Sequence, residues 1–187
     1  MSALLHDRLA ALFRYPPAGF LDEIDLCCQV LAETGQDLPA HIQSFAAALR
    51  ALSPTGREEL FTHTFDNNPL CSLEVGWQLF GEQYERGTFL VRMRQELRRL
   101  GLPESTELPD HLIHVLMILG RMEPERADDF ATACVIPAVE RMYAGLAGKD
   151  NPYAHALAAV RAFLFLRHGA AFAADAGAGA RVAEMEE

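Results

Sequence analysis

Apolar residues recur at helical spacing along most of the chain, and proline, glycine and turn residues separate the segments. The first apolar stripe stops at Tyr15-Pro16-Pro17, and Asp66-Asn67-Asn68-Pro69 marks a strong turn further on. Because residues three and four positions apart share one face of a helix, this spacing predicts amphipathic helices. Typical stripes are Leu4, Leu5, Leu9, Leu12 and Phe13; Phe20, Ile24, Cys27, Cys28 and Leu31; Ile42, Phe45, Leu49 and Leu52; and Leu112, Val115, Leu116 and Leu119.

No short window alternates between apolar and polar positions in the way that a half-buried strand requires. The chain has no internal repeat, and its 187 residues suit one hydrophobic core better than two. We therefore predict an all-α fold, a single compact bundle of roughly eight to nine helices over residues 1–169. The segment 170–187 is rich in alanine and glycine, which predicts a flexible tail.

Several helix boundaries are predicted from local signals in the first half of the chain. Thr55-Gly56-Arg57-Glu58 fits a capping box that opens a helix. Ser72 is placed to cap a helix that runs from Leu73 towards Arg86. Gly87 is predicted to interrupt the path, so that the next helix starts at Phe89.

Two prolines carry predictions in the second half. Pro109 suits the first position of a helix, which would place Glu107 near the N-cap and Asp110 inside the first turn. Carboxylates at these positions are favoured by the helix dipole. Pro137 lies inside the apolar pattern of Phe130–Leu146 and predicts a kink, because proline removes one backbone hydrogen bond.

The charge balance narrows the classes of partner. The formal net charge is −10 and the isoelectric point is about 5.1, which disfavours nucleic acid and anionic membrane surfaces and favours cationic partners. No apolar run approaches the roughly 18 residues of a membrane span. Asp7 and Arg8 interrupt the first apolar stretch, which is atypical of a secretory signal, so we expect a cytoplasmic protein.

The chemistry-bearing motifs of common enzymes are missing. The four cysteines have no CxxC spacing, which indicates reduced thiols in a cytosolic protein. The sequence has no GxxxxGK[ST], no GxGxxG, no GxSxG and no HExxH pattern. We therefore expect neither an enzyme nor a cofactor or metal site.

The segment Glu107-Leu108-Pro109-Asp110-His111-Leu112 is unusual, because it places two carboxylates and an imidazole at one loop-to-helix junction. A simple cap needs only one acceptor. Trp77, Phe80 and Tyr84 follow one another at spacings of three and four, which predicts an aromatic stripe along one side of a helix. Carboxylates beside aromatic rings suit a peptide that carries an arginine-bearing end and an apolar stretch.

Short motifs occur in a fixed order between Glu59 and Leu119. They are Glu59-Leu60-Phe61 with Phe65-Asp66, Ser72-Leu73, Gly81-Glu82 with Arg86-Gly87, Gly101-Leu102, and the hexad Glu107-Leu108-Pro109-Asp110-His111-Leu112. In these residues the chain resembles the NarJ branch of the TorD/DmsD superfamily of molybdoenzyme maturation chaperones. The hexad is the most specific of the shared elements.

The resemblance implies an all-helical, TorD-like cytoplasmic chaperone dedicated to one molybdenum enzyme. Such proteins bind the N-terminal leader of the catalytic subunit, a twin-arginine signal or its remnant, until the molybdenum cofactor is inserted. The implied peptide-binding residues lie in two segments of this chain. They are Glu107, Leu108, Pro109, Asp110 and His111, together with Trp77, Phe80, Gly81, Glu82 and Tyr84.

The implied partner is the catalytic subunit of a molybdoenzyme, with proteins of molybdenum cofactor biosynthesis as further partners and no stable membrane insertion. The client is nitrate reductase or another enzyme of the dimethyl-sulfoxide-reductase family. The identity of the client stays open, because this chain has Trp77-Gln78-Leu79-Phe80 where NarJ proteins tend to have histidine-rich residues.

Other interpretations stay open from the residues alone. The aromatic stripe is also typical of an ordinary core. Asp110, His111 and His114 could form the site of a small metal-dependent hydrolase, although two imidazoles without a clear third ligand rarely bind metal. A permanent structural adaptor between enzyme subunits is a third hypothesis.

Two sets of charges are predicted to be ordinary surface. Glu82 and Arg86, four residues apart, suit an exposed ion pair on a helix. The basic cluster Arg92, Arg94, Arg98 and Arg99 suits a solvated face, or a surface that docks to an acidic part of the client.

Overall fold

The computed structural model describes residues 2–33 and 38–183, and helices dominate this part of the chain. The α-helices are α1 (Ser2–Ala11), α2 (Phe20–Ala32), α3 (Leu38–Arg50), α4 (Pro54–Phe61), α5 (Val75–Phe80), α6 (Tyr84–Arg99), α7 (Leu112–Leu119), α8 (Pro124–Phe130), α9 (Ile136–Gly145) and α10 (Tyr153–Ala183). Two π turns, Thr62–Asp66 and Ala131–Val135, extend α4 and join α8 to α9.

The all-α prediction is confirmed. Because α8 and α9 are continuous through the π turn Ala131–Val135, the described residues form nine separate helices, within the predicted range. Strands do not occur in residues 2–33 and 38–183, where the nearest thing to a sheet is one isolated antiparallel bridge between Glu74 and His111.

The core of the bundle is centred on Tyr153 at the start of α10. Its side chain has no exposed surface, and three phenylalanine rings surround it with centroids 4.7–5.9 Å away. These rings are Phe45 of α3, Phe61 of α4 and Phe65 of the following π turn. Edge-to-face aromatic packing of this kind stabilises a core beyond the area that it buries. Helices α1, α2, α3, α7 and α10 pack around this centre.

The helix predicted from Leu73 towards Arg86 is in fact two helices, so that prediction is wrong. Helix α5 ends at Phe80, and Gly81 has φ +57° and ψ −126°, a backbone conformation that favours glycine. The path changes direction there, and α6 begins at Tyr84 with Gly87 inside it. The predicted interruption therefore lies at Gly81 instead of Gly87.

Three predicted caps are also wrong. Ser72 does not cap α5, which begins at Val75 with Glu74 as its N-cap and no side-chain cap hydrogen bond. The hydroxyl of Ser53 accepts a hydrogen bond from the Gly56 N–H at 3.0 Å, so α4 is capped by Ser53 with Pro54 in its first turn. The capping box at Thr55 is not used. At the other junction, α7 begins at Leu112 with His111 as its N-cap, so Asp110 precedes the helix.

The disturbance predicted at Pro137 is present as a π turn. Pro137 lies in the first turn of α9, directly after the π turn Ala131–Val135. Proline has no N–H to donate back to the preceding turn, so a shift in the hydrogen-bond register accommodates it.

The helices of residues 2–33 and 38–183 lack the combination of length and apolar content that crossing a lipid bilayer requires. All four cysteines are free thiols. The flexible tail over 170–187 stays a prediction: the α10 backbone is helical to Ala183, and residues 184–187 lie outside the described part.

A candidate ligand groove between α5, α6 and α7

Backbone hydrogen bonds join the segment before α5 to the segment before α7. The Val75 N–H donates to the Asp110 carbonyl at 2.9 Å, and the Leu112 N–H donates to the Leu73 carbonyl at 2.8 Å. This two-sided pairing surrounds the isolated bridge of Glu74 with His111. Two helix starts that are distant in sequence are thereby held side by side.

Asp110 locks this pairing from inside. Its side chain has no exposed surface, and Oδ2 accepts a hydrogen bond from the Gly76 N–H at 3.0 Å. A Cβ atom at residue 76 would lie 2.6 Å from that oxygen, so glycine is required for the close approach. The second oxygen, Oδ1, is buried and has no hydrogen-bond partner among the described residues.

Burial raises the pKa of Asp110 above its ordinary value, because desolvation disfavours the charged carboxylate. The positive charge of Arg86 and the Gly76 N–H lower this pKa, and the negative charge of Glu74 raises it. The charge of Arg86 therefore acts on this carboxyl group, although the two side chains form no ion pair in the described structure.

His111 serves as the N-cap of α7. Its Nδ1 accepts a hydrogen bond from the Ile113 N–H at 3.2 Å, which requires an unprotonated Nδ1. Burial lowers the pKa of His111 to about 4, with a smaller lowering by His114 and a raising effect from Glu74. The imidazole is therefore neutral at physiological pH.

His114 is held by bonds at both ring nitrogens. Nδ1 lies 2.9 Å from the Leu108 carbonyl oxygen, and Nε2 lies 3.0 Å from the Ser105 hydroxyl. Three of the four nitrogens of His111 and His114 thus have local partners. Within the part of the chain that is described, no group of three metal-binding side chains is present. The metal-hydrolase hypothesis gains no support from this geometry.

A groove of about 460 Å³ opens beside this junction. Trp77 of α5 lines it together with Glu107, Leu108 and His111 of the hexad. Its full lining is Phe61, Phe65, Asp66, Pro69, Ser72, Leu73, Glu74, Trp77, Arg86, Glu107, Leu108 and His111. The predicted proximity of the hexad and Trp77 is thus what the structure has.

Trp77 is fixed at its edge and covered on its face. Its Nε1–H donates to the Pro69 carbonyl at 3.0 Å, which anchors the indole to the loop before α5. The guanidinium carbon of Arg86 lies 5.3 Å from the ring centroid, a cation–π distance. The ion pair predicted between Glu82 and Arg86 does not form, because Gly81 ends the helix before Glu82.

The groove has an acidic lining. Asp66, Glu74 and Glu107 contribute carboxylates, and Arg86 contributes the one cationic side chain among the described lining residues. The Ser72 hydroxyl donates to the Glu74 carboxylate. Phe61 and Phe65 supply aromatic lining, and both rings also pack against Tyr153 in the core. Such a surface suits a ligand with a cationic group next to apolar side chains.

The first predicted site segment is only partly at the surface of the groove. Glu107, Leu108 and His111 line it, whereas Pro109 and Asp110 are buried. Asp110 was predicted as a contact for an arginine of the ligand, but it lies beneath the groove wall and holds that wall in place.

The second predicted site segment is split by the turn at Gly81. Trp77 lines the groove, but Phe80 packs on Phe89 with ring centroids 5.8 Å apart. Tyr84 begins α6 and is 88% exposed, and Glu82 is also exposed. The single aromatic stripe of Trp77, Phe80 and Tyr84 was predicted on one helix side and is wrong, because two helices share these residues.

Sequence reasoning missed part of the lining. Phe61, Phe65 and Asp66 belong to motifs quoted above, so the shared motif Glu59-Leu60-Phe61 with Phe65-Asp66 was a usable signal. Glu74 and Arg86 lie within or next to other shared motifs, yet nothing local indicates that they face the same space.

A second cleft of about 280 Å³ adjoins the groove. Glu107 borders both spaces, and the exposed ring of Tyr15 in the second cleft contacts Phe61 of the first at a centroid distance of 5.7 Å. Ile113 and Met117 of α7 supply further apolar lining. The acidic groove therefore continues into a more apolar space.

Two comparisons with known proteins agree with each other. The family model described as "Nitrate reductase delta subunit" matches residues 31–165. The chain is also 28% identical over 121 residues to the "Probable nitrate reductase molybdenum cofactor assembly chaperone NarJ" of Bacillus subtilis (strain 168). That alignment covers 64% of this chain and 66% of the relative, so the chain spans just under two thirds of the relative's length.

Proposed function

The chain belongs to the nitrate reductase delta subunit family, and from this membership we propose that it is a cytoplasmic, non-catalytic maturation chaperone for the catalytic subunit of a molybdoenzyme. It binds the N-terminal leader of that subunit while the molybdenum cofactor is inserted. The relative's name, a molybdenum cofactor assembly chaperone for nitrate reductase, supports nitrate reductase as the client. Proteins of molybdenum cofactor biosynthesis are further proposed partners.

The observation that carries this proposal is the acidic, aromatic groove. A leader with arginines followed by apolar residues needs carboxylates for the guanidinium groups and rings for the apolar part. The carboxylates are those of Glu74, Glu107 and Asp66, and the rings are those of Trp77 and Phe61. The groove is also lined by residues of the hexad, the most specific shared motif.

In this proposal Asp110 acts as a positioning residue. Its buried carboxyl group fixes the paired segments through Gly76, and thereby holds Trp77 and Glu107 in the lining of the groove. The direct ionic contacts with the leader are made by Glu74 and Glu107. Since these contacts are partly exposed, the affinity falls as the salt concentration rises.

Calorimetry with the N-terminal peptide of the nitrate reductase catalytic subunit tests the groove. The double variant Glu74→Gln/Glu107→Gln is expected to bind about tenfold more weakly, because two charge-assisted contacts are lost. The control Asp25→Asn/Glu140→Gln removes the same charge from surface ion pairs with Arg50 and Arg161. An equal loss of affinity in both double variants would show that net charge, and not this groove, binds the peptide.

A second experiment separates a chaperone from a permanent adaptor. Purification of the mature client enzyme from cells that express a tagged chain is expected to yield enzyme without it. A stoichiometric amount of the chain in the mature enzyme, measured by quantitative mass spectrometry, contradicts the chaperone proposal and supports the adaptor.

A further inference from the structure

Arg86 lies in the groove without the partner that an arginine usually has. Its guanidinium covers Trp77 at 5.3 Å, while its Nε is buried and has no hydrogen-bond partner among the described residues. Three carboxylates line the same groove, but none forms an ion pair with it in the described structure. A buried, unpaired N–H of a cation costs free energy, so this arrangement needs an explanation.

The matching acceptor lies close by. Asp110 Oδ1 is buried and also lacks a partner among the described residues. The positions are close, because a Cβ at residue 76 would meet Asp110 Oδ2 at 2.6 Å and Arg86 Cγ at 3.4 Å. The side chains of Asp110 and Arg86 therefore both pack against Gly76. A rotation of the Arg86 side chain is the movement that would bring its unpaired Nε–H to the unpaired Oδ1 of Asp110.

We infer that Arg86 occupies the place of a ligand arginine on Trp77 and is a specificity-determining residue of the groove. An incoming guanidinium displaces it, and Arg86 Nε–H then donates to Asp110 Oδ1. The inference deepens the proposed function and rests on it, since it takes the groove to bind an arginine-bearing segment.

The displacement explains selectivity for a cation. Any ligand that reaches the face of Trp77 must remove Arg86 and lose its cation–π contact. A ligand with its own guanidinium restores that contact, whereas a neutral ligand of the same shape does not. The hydrogen bond from the indole to the Pro69 carbonyl holds the ring in the orientation in which Arg86 covers it. Arg86 thus lowers the affinity of every ligand for this face, and only a cationic ligand regains the lost contact.

Arg161 shows what a purely structural cation–π arginine looks like in the same molecule. It lies 5.7 Å from the Tyr143 ring and 5.3 Å from the Phe165 ring, and it also pairs with Glu140. Its charge is therefore compensated, and it lies outside the lining of the groove. Arg161→Met is the matched control for Arg86→Met.

The test uses two small probes, the blocked dipeptide amides Arg-Arg and citrulline-citrulline, which differ in charge and hardly in shape. Trp77 is the only tryptophan of the chain, so its fluorescence reports binding at the site directly. Arg86→Met is expected to bind the Arg-Arg probe about five- to tenfold more tightly than the wild type, since the competing guanidinium is gone. The citrulline probe binds the wild type more weakly than the Arg-Arg probe, and it is expected to gain a similar factor in Arg86→Met, because it too no longer has to displace Arg86. Arg161→Met behaves as the wild type.

An unchanged or weakened affinity of Arg86→Met for the Arg-Arg probe overturns the inference. A second readout does not depend on the variant: in the wild-type protein, the Arg86 Nε–H resonance is expected to move downfield when the Arg-Arg probe is added, as a carboxylate bond forms. A resonance that stays in place also overturns it.

The outcomes keep the two proposals distinguishable. If the wild type fails to bind the leader peptide while Arg86→Met gains affinity for the Arg-Arg probe, the proposed client is wrong and the role of Arg86 stands. If the leader binds and Arg86→Met gains nothing, the chaperone proposal stands and Arg86 has no such role.

Discussion

The two ends of helix α6 hold their arginines in opposite ways. Towards the C-terminus, Arg94 and Arg98 pair with Glu104 at 3.3 and 3.1 Å, and Arg99 pairs with Glu96 at 2.7 Å. At the N-terminal end, Arg86 lies over an indole among carboxylates that form no ion pair with it in the described structure. The same helix thus has ion-paired arginines at its C-terminal end and an arginine without an ion pair, Arg86, at its N-terminal end.

The comparison separates arginines with a carboxylate partner from one without. Three of the four arginines in the predicted basic cluster form ion pairs with Glu96 or Glu104, which agrees with the interpretation of the cluster as a solvated face. In the groove, the unpaired atoms of Arg86 and Asp110 are retained at a cost in stability. Such a cost is typical of a site that exchanges partners when it binds.

The largest expected effect comes from Gly76, against which the side chains of Asp110 and Arg86 both pack. Gly76→Ala is expected to lower the free energy of unfolding by roughly 2–4 kcal/mol, because its Cβ would collide with Asp110 Oδ2 and break the buried bond. The control Gly87→Ala, inside α6 with nothing within 4 Å, is expected to raise it by up to about 1 kcal/mol. Urea denaturation measures both. If the two variants are equally stable, Gly76 in α5 packs less tightly against Asp110 and α6 than described.

His111 gives the next largest effect, which depends on pH. Because burial lowers its pKa from 6.5 to about 4, its contribution to stability is complete above pH 6.5 and is lost as the pH falls towards 4. His111→Asn is expected to keep the cap and remove this dependence, whereas His111→Ala loses the cap and about 1 kcal/mol at pH 7. Denaturant unfolding curves between pH 4 and 7 give the free energy of unfolding at each pH. If this free energy changes equally with pH in the wild type and in His111→Asn, His111 is not the group responsible.

Asp110 is expected to change stability in the opposite direction. Its raised pKa means that folding favours the protonated carboxyl group, so its stabilising effect is present at low pH and is lost as the pH rises through the raised pKa. Asp110→Asn is therefore expected to be more stable than the wild type at pH 7, by up to about 1 kcal/mol, and the difference should shrink in acid. Thermal unfolding across the same pH range tests this; a gain that grows in acid contradicts it.

The far end of α6 should respond least. Arg98→Gln removes one exposed ion pair with Glu104, and we expect a loss of less than about 0.5 kcal/mol. The same urea denaturation used for Gly76→Ala measures it. A loss above about 1 kcal/mol would show that this exposed ion pair matters for stability, which contradicts the proposed difference between the two ends of α6.

The fold was largely predictable because long amphipathic stripes dominate the sequence. The buried face of α7, for example, follows directly from Leu112, Val115, Leu116 and Leu119, all of which are buried. Local signals failed where two elements compete. Ser53 and Thr55 both suit a cap, and Gly81 and Gly87 both suit a break, so the sequence alone did not decide between them.

The candidate site was only partly predictable. The hexad and Trp77 both line the groove as expected. The hexad is a shared motif, whereas Trp77 lies outside the shared motifs and was indicated by the spacing of the aromatic residues. The burial of Asp110 depends on Gly76, 34 positions away, and the place of Arg86 depends on the turn at Gly81. Such tertiary contacts leave no periodic signal in a single sequence.

The pairing of residues 73–76 with 110–112 also has a consequence for biosynthesis. During translation, the N-terminal half of the chain leaves the ribosome with Trp77 before the segment that completes its wall has been made. A nascent chain shorter than about 112 residues cannot close the groove. The proposed capture of a client in this groove therefore has to wait until this protein's own synthesis has passed Leu112.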